Sequence, residues 1–218
     1  MPAEPASPAQ FVLSSCRLAP VPLIPEIRLH QAGEVLSLWE RTEERAAADQ
    51  PPPFWAFPWP GGQALARYLL DHAGLAAGHR VLDVGSGSGL VAIAARLAGA
   101  ASVLASEVDE VAAAAITLNA QANGAAAPEV VGDVLDGDGE GAQVVLAGDV
   151  WYSAPLAGRV LGLIERARAR GASVLVGDIG RSFLPRQAFR VVDTMDVPVV
   201  AGLEDCDVKQ TMIWAPAW

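Results

Sequence analysis

The sequence is poor in cysteine, in clustered positive charge and in long apolar runs. Two cysteines among 218 residues do not make a disulfide framework, which favours a reducing compartment. The formal net charge of −10 argues against a non-specific nucleic-acid binder, because phosphate contacts need clusters of lysine and arginine. No apolar run reaches the ~20 residues of a transmembrane helix, and the Pro/Ala-rich start lacks signal-peptide features. We therefore expect a cytoplasmic monomer that binds neither membrane nor nucleic acid.

Prolines divide the chain into two predicted parts. Residues 1–10 are predicted to be disordered. Three closely spaced prolines then exclude a regular helix in a stretch where FVLSS (11–15) is interpreted as a short extended piece. An amphipathic helix is predicted over 34–48, and it stops before a run of three prolines. We therefore predict an N-terminal extension over residues 1–50 and a second domain over residues 51–218.

The most informative stretch is RVLDVGSGSG, residues 80–89, a short apolar strand that runs into a glycine-rich turn. Its glycines let the backbone turn tightly and approach a ligand closely, and the alanine-rich segment that follows predicts a buried helix. Strand, turn and helix are typical of the first unit of a nucleotide-binding α/β fold. A dinucleotide fingerprint would need a third glycine at Leu90, and no P-loop tripeptide occurs. The turn instead resembles motif I of the class I S-adenosylmethionine (SAM) methyltransferases.

Carboxylates follow the next predicted strands, at the edge where open α/β sheets bind their ligands. Glu107 ends the second strand, 24 residues after Asp83, where an acidic residue accepts hydrogen bonds from ribose hydroxyls. Asp109 is interpreted instead as the N-cap of the following helix. Asp133, after a short third strand, is placed for an adenine amino group, and a capping or loop role fits it almost as well.

Aromatic side chains accompany the fourth strand and an earlier proline-stiffened loop. Asp149 ends the fourth strand and is followed by Trp151 and Tyr152. The loop FWAFPWPGG contributes Trp55 and Trp59. It is interpreted either as a hydrophobic plug over the sheet edge or as a wall for a cationic ligand, since cations are attracted to aromatic faces. Trp151 and Tyr152 likewise either pack at the edge of the core or line a channel.

Five segments together resemble the seven-β-strand lysine methyltransferases, in particular those that modify the β subunit of the electron transfer flavoprotein. These segments are FWAFPWPGGQALARYLL, LDVGSGSGLVAIAA, ITLNAQAN, GDVWY and VGDIGR. The resemblance implies a Rossmann-like class I methyltransferase fold, a three-layer α/β sandwich with a seven-stranded, mostly parallel sheet and an antiparallel last strand. It also implies SAM as cofactor, S-adenosylhomocysteine as product, no metal, and lysine side chains of that flavoprotein subunit as substrate. The Ala/Gly/Arg-rich composition without a targeting sequence predicts a bacterial homologue.

The chemistry requires a neutral lysine amine in line with the methyl–sulfur bond, and an unperturbed lysine pKa of about 10.4 leaves roughly one amine in 10³ neutral at pH 7. Apolar and aromatic walls lower that pKa by desolvation, whereas a carboxylate raises it, so Asp149 is assigned to orienting the amine. The predicted catalytic residues are Asp149, Trp151 and Tyr152. The predicted cofactor-binding residues are Trp55, Trp59, Asp83, Gly85, Ser86, Gly87, Glu107, Asp133 and Asp149.

Three alternatives stay open from the sequence. A ribosomal-protein or small-molecule N-methyltransferase has the same fold, because a fold does not fix the substrate. A scaffold protein that has lost catalysis is opposed by the presence of the glycine turn, Glu107 and Asp149. A NAD-dependent oxidoreductase is opposed by Leu90 in place of the third glycine.

Overall fold

A seven-stranded sheet forms the centre of the structure, a computed structural model that describes residues 7–33, 52–199 and 206–218. The strands of the described residues are β1 (Arg17–Val21), β2 (Ile24–Gln31), β3 (Arg80–Val84), β4 (Ser102–Ser106), β5 (Glu129–Val131), β6 (Val144–Gly148), β7 (Ser173–Asp178), β8 (Phe189–Pro198) and β9 (Val208–Pro216). The α-helices are α1 (Pro8–Ser15), α2 (Pro60–Asp71), α3 (Leu90–Leu97), α4 (Glu110–Ala122) and α5 (Ala154–Ala169).

The strand order reverses at the middle of the sheet, between β3 and β6. The order is β5-β4-β3-β6-β7-β9-β8, in which β3 to β7 are parallel and β9 is antiparallel to both of its neighbours. The chain runs from β3 outward to β5, then returns to the other side of β3 for β6 and β7. Such a reversal opens a crevice between β3 and β6 at the carboxyl ends of the strands. The predicted mostly parallel sheet with an antiparallel last strand is confirmed.

Helices cover both faces of the sheet, because its central strands are apolar on both sides. Along β3, Val81 belongs to the core under α2 and α3, and Leu82 belongs to the core under α5. On the second face Leu163 and Ile164 of α5 are fully buried. The result is a three-layer α/β sandwich. Within the described ranges, no helix combines the length and the apolarity that crossing a membrane requires.

The N-terminal segment differs from the prediction. Residues 8–15 form helix α1, not disorder followed by an extended piece, because Ser7 and Gln10 form a reciprocal capping box and Pro8 lies at the first helical position. The predicted helix over 34–48 lies outside the described residues. The hairpin β1–β2 contributes the fully buried Ile27 to the core that it shares with α2, and the division into residues 1–50 and 51–218 stays a prediction.

Helix α2 begins in direct contact with the backbone of the sheet. A Cβ atom at Gly61 would lie 2.1 Å from the carbonyl oxygen of Gly177 in β7, and one at Gly148 in β6 would lie 3.0 Å from the Cα of Gly62. Real Cβ atoms do not approach other atoms as closely as 2.1 Å. Gly61 and Gly62 lie in the first turn of α2. Because they have no side chains, this turn can approach the backbone of β6 and β7 directly.

The residue after Gly61 and Gly62, Gln63, ties the start of α2 to three other segments: the N-terminal hairpin, the loop before α2 and the end of β8. Its side chain is fully buried, accepts a hydrogen bond from the Leu23 N–H (3.1 Å) and donates to the carbonyls of Pro58 (2.8 Å) and Pro198 (3.1 Å). A buried amide needs such partners, because an unmade hydrogen bond in the core is costly. The sequence Gly-Gly-Gln thus fixes the start of α2 against the sheet, the N-terminal hairpin and the end of β8.

Replacing Gly61 with alanine should destabilise the fold by about 2 kcal/mol or more, because the added methyl group meets a rigid carbonyl. Urea unfolding followed by circular dichroism measures the change. Gly158→Ala in α5 is the matched control, because its Cβ would meet no atom of the described residues within 4 Å. This control should gain about 0.5–1 kcal/mol from the better helix propensity of alanine. Equal stability of the two variants would contradict the proposed backbone contact.

Candidate active site

A cavity of about 420 Å³ opens at the carboxyl ends of β3, β4 and β6, in the crevice that the strand order creates. Its volume is in the range of small-molecule binding sites. The structure brings ten of the eleven predicted site residues to this cavity and leaves out Trp151. The ten are Trp55, Trp59, Asp83, Gly85, Ser86, Gly87, Glu107, Asp133, Asp149 and Tyr152.

The glycine turn after β3 is organised around the buried carboxylate of Asp83. One oxygen of Asp83 accepts hydrogen bonds from the Ser86 hydroxyl (2.6 Å) and the Ala92 N–H (3.1 Å), which join the strand, the turn and α3. Burial raises the pKa of Asp83 to about 7, although both hydrogen bonds oppose the shift. Gly85 takes a left-handed backbone conformation (φ 63°), which a side chain rarely adopts.

Glu107 connects the end of β4 to this turn. Its Oε2 accepts a hydrogen bond from the Gly87 N–H (2.9 Å), and its Oε1 accepts from the N–H groups of Val108 (2.7 Å) and Asp109 (3.0 Å). A carboxylate oxygen has about two acceptor positions, so Oε2 keeps the capacity to accept a further bond from a ligand in the cavity. Asp109 accepts from the Val111 N–H (2.7 Å), which confirms the predicted N-cap of α4.

Asp133 is engaged by an arginine that sequence reasoning did not single out. Arg159 of α5 donates two hydrogen bonds to the Asp133 carboxylate (2.9 and 3.2 Å) and also pairs with Asp136 (2.8 Å). This bidentate contact holds the pKa of Asp133 below its usual range. Asp133 also accepts from the Leu135 N–H (3.0 Å). These contacts favour the loop role, and a bond to an adenine amino group stays a prediction.

Asp149 lies between the first turn of α2 and the loop after β7. Its backbone is left-handed (φ 59°), and its N–H donates to the Gly177 carbonyl (2.9 Å). One carboxylate oxygen accepts from the Gly62 N–H (2.7 Å), and the other accepts from the Arg181 guanidinium (2.5 Å). Burial raises the pKa of Asp149, and the positive charge of Arg181 opposes that shift. The carboxylate is therefore fixed on two sides.

Arg181 is the second functional candidate that sequence reasoning missed. The Arg181 guanidinium nitrogen that binds Asp149 also contacts the fully buried Asp178 (3.2 Å). Arg181 also lines the cavity. Burial lowers the pKa of Arg181, and the two carboxylates together outweigh that effect and raise it. The available signal was the segment VGDIGR, which places Asp178 and Arg181 just after a strand at the ligand-binding edge.

Aromatic rings from two segments form a wall at the mouth of the cavity. The Phe54 ring lies 5.9 Å from the Trp59 ring and 5.6 Å from the Tyr152 ring, and Trp59 donates to the Phe54 carbonyl (2.8 Å). Tyr152 is 55% exposed. Trp55 is buried against Phe11 and also lines the cavity, so the loop both covers the core and faces the site.

Trp151 does not join this wall. Its side chain is fully buried in the core under α5, and its ring packs against Phe189 at a centroid distance of 5.8 Å. The left-handed residue Asp149 redirects the chain, so Trp151 turns toward the core and Tyr152 turns toward solvent. The prediction that Trp151 lines an acceptor channel is therefore not supported, and core packing, the alternative reading, describes it.

The fold and the cavity define a class I SAM methyltransferase. A model of the ribosomal protein L11 methyltransferase family matches residues 63–168. A crystal structure of the magnesium protoporphyrin IX methyltransferase from Synechocystis PCC 6803, which holds SAM, superposes with a TM-score of 0.51. The superposition covers 85% of this chain and 92% of the Synechocystis chain. Because the sequence identity is only 17%, this similarity supports the fold alone.

Two relatives narrow this class to one family. The electron transfer flavoprotein β subunit lysine methyltransferase of Xenopus laevis is 38% identical over 80% of this chain, which spans 71% of the frog protein. The enzyme of the same name from Danio rerio is 40% identical over 73% of this chain, which spans 62% of the zebrafish protein. The chain belongs to the family of electron transfer flavoprotein β subunit lysine methyltransferases.

The Asp83 carboxyl predicts a pH-dependent stability difference. Because its pKa is about 7 when folded and 3.8 in a model peptide, the folded protein holds a proton that the unfolded chain releases between those values. Wild-type stability relative to Asp83→Asn should therefore fall as pH rises from about 4 to 7, by up to about 4 kcal/mol.

Urea unfolding of both proteins at about pH 5 and about pH 8 measures this difference. Asn can accept the Ser86 and Ala92 hydrogen bonds through its amide oxygen, so the comparison isolates the charge. Asp196→Asn, at an exposed position in β8, is the control and should show no such pH dependence. A constant difference between wild type and Asp83→Asn would refute the buried-acid assignment.

Proposed function

We propose that the protein is a SAM-dependent lysine N-methyltransferase whose acceptor is the β subunit of an electron transfer flavoprotein. The observation that carries this proposal is one cavity lined by two groups of residues. The first group is the glycine turn with Glu107, and the second is the buried carboxylate of Asp149 with the rings of Phe54, Trp59 and Tyr152. The names of the frog and zebrafish relatives support the acceptor.

The glycine turn and Glu107 fit SAM. A cavity of about 420 Å³ suits a nucleoside with an amino-acid tail, and Gly85 and Gly87 in their left-handed conformations add no side chains to its wall. Glu107 would accept hydrogen bonds from ribose hydroxyls through the remaining capacity of Oε2. When bound, SAM supplies a methyl group whose bonding electrons stay on sulfur while the lysine nitrogen bonds to the carbon and later releases a proton.

Asp149 and the aromatic rings fit a lysine side chain. The rings of Phe54, Trp59 and Tyr152 would surround its methylene groups and lower the pKa of its amine by desolvation. Asp149 would accept a hydrogen bond from the amine and direct the nitrogen lone pair at the methyl carbon, which is a contribution from positioning. Because Gly62 and Arg181 already fix the carboxylate, little reorganisation is needed when the amine arrives.

A ribosomal-protein methyltransferase is the second candidate function. The family model for ribosomal protein L11 methyltransferase matches residues 63–168, which contain the glycine turn and Asp149. That match ends before β7 and before Arg181. The flavoprotein-directed relatives cover more of the chain, which favours the first candidate.

We further propose a cytoplasmic monomer in which residues 1–50 form an extension to a methyltransferase domain over residues 51–218. The small number of cysteines and the acidic charge support the location. The packing of α1 and of β2 against the larger core supports a role of the extension in covering that core.

Incubation with tritiated SAM and purified electron transfer flavoprotein tests the proposed acceptor. Label should appear on the β subunit and should disappear when its labelled lysines are changed to arginine. The enzyme has one lysine of its own, Lys209, so a Lys209→Arg variant controls for self-labelling. Label on a ribosomal protein alone would support the second candidate. A wild-type enzyme that binds SAM and labels neither protein would contradict both.

Changing Glu107 to glutamine should weaken SAM binding about tenfold to a hundredfold, because a hydrogen bond to a charged group contributes about 1.5–3 kcal/mol. Isothermal titration with SAM measures the dissociation constant. Glu110→Gln, an exposed position three residues away, is the control for the loss of one negative charge. If both variants bind SAM as the wild type does, Glu107 does not contact the ribose.

A further inference from the structure

We propose that Arg181 is a positioning residue that acts through Asp149: it offsets the carboxylate charge and thereby lets an acceptor lysine lose its proton inside the cavity. This inference rests on the proposed function. It concerns a residue at the far side of Asp149 from α2, in the loop after β7.

The position of Arg181 is set by the turn that precedes it. One oxygen of Asp178 accepts from the N–H groups of Gly180 (2.6 Å) and Arg181 (2.7 Å), which folds the loop back over the end of β7. The guanidinium then lies between two carboxylates, 2.5 Å from Asp149 and 3.2 Å from Asp178. The exposed fractions of the three side chains are 17% for Arg181, 10% for Asp149 and 0% for Asp178.

The reaction gives this arginine a chemical purpose. A bare carboxylate beside the acceptor would stabilise the lysine ammonium, the form that cannot attack the methyl carbon. Two carboxylates would do so more strongly. With Arg181 in place, the cluster of Asp149, Asp178 and Arg181 has a net charge of −1 when all three are ionised instead of −2. One charge within ~4–6 Å shifts a pKa by about 1–3 units, so this change is large enough to matter.

A substitution at Arg181 acts directly on Asp149, whose pKa rises further when the opposing positive charge is removed. Arg186 donates to the Gly180 carbonyl in the same loop, and the start of α2 offers backbone N–H groups and no titratable side chain at Gly61 and Gly62. The remaining titratable groups that line the cavity are Asp83, Glu107, Asp109, Asp133, Tyr152 and Arg159. A shift seen on changing Arg181 therefore reports the loss of that positive charge together with its effect on Asp149.

The test is the pH dependence of the single-turnover rate of methyl transfer to the flavoprotein β subunit at saturating SAM. For Arg181→Met, the rising limb of the plot of rate against pH should shift to higher pH by about one unit or more. The rate near neutral pH should then fall about tenfold or more and recover in alkaline solution. Arg181→Lys, which keeps the charge, should leave the limb in place. SAM affinity should be unchanged in both variants.

Asp178→Asn provides an opposite test that does not depend on the folding of Arg181→Met. It removes one negative charge and keeps an oxygen that can accept from Gly180 and Arg181, so its limb should move to lower pH. The proposal would be overturned if the rate of Arg181→Met were reduced by the same factor at every pH. It would also be overturned if the rising limb of the plot of rate against pH stayed in place in both Arg181→Met and Asp178→Asn. Failure of the wild-type enzyme to transfer methyl groups would instead refute the proposed function.

Discussion

The geometry of the site depends on direct contact between two stretches of backbone. The first turn of α2 reaches the carboxyl ends of β6 and β7 because Gly61 and Gly177 have no side chains to separate them. The same approach brings the Gly62 N–H to the carboxylate of Asp149. Since a helix N-terminus carries a partial positive charge, it also stabilises that carboxylate electrostatically. The close packing of Gly61 on Gly177 and the hydrogen bond from Gly62 to Asp149 thus both result from the approach of α2 to the sheet.

Three carboxylates at neighbouring strand ends acquire different properties from their surroundings. Asp83 is buried without a cation and its pKa rises to about 7, so it acts as a structural acceptor inside the glycine turn. Glu107 receives backbone N–H groups on both oxygens and faces the cavity. Asp149 alone among them contacts a guanidinium. The proposed division into cofactor binding and acceptor binding follows these environments.

Sequence reasoning identified most of the residues that line the cavity, because the carboxyl ends of parallel strands meet at one edge, whatever the distance along the chain. It could not place Trp151, since the left-handed backbone at Asp149 breaks the simple alternation of side-chain directions. Arg181 escaped notice because it pairs with a residue 32 positions away, and spacing carries no signal of such a pair. Helix α1 was missed although its Ser-Pro-Ala-Gln start contains the capping signal, because a proline-rich terminus was read as disordered.

The aromatic rim of the cavity and the glycine contact at the start of α2 face different evolutionary constraints. A Cβ at Gly61 or at Gly177 would meet the backbone carbonyl of the other residue, so substitution at either position is strongly restricted. Phe54 and Tyr152 are 40% and 55% exposed and belong to separate segments, so each can vary without disturbing the core. Substitutions at the rim are therefore free to accumulate, while the backbone contact that holds the Gly62 N–H against Asp149 is inherited intact.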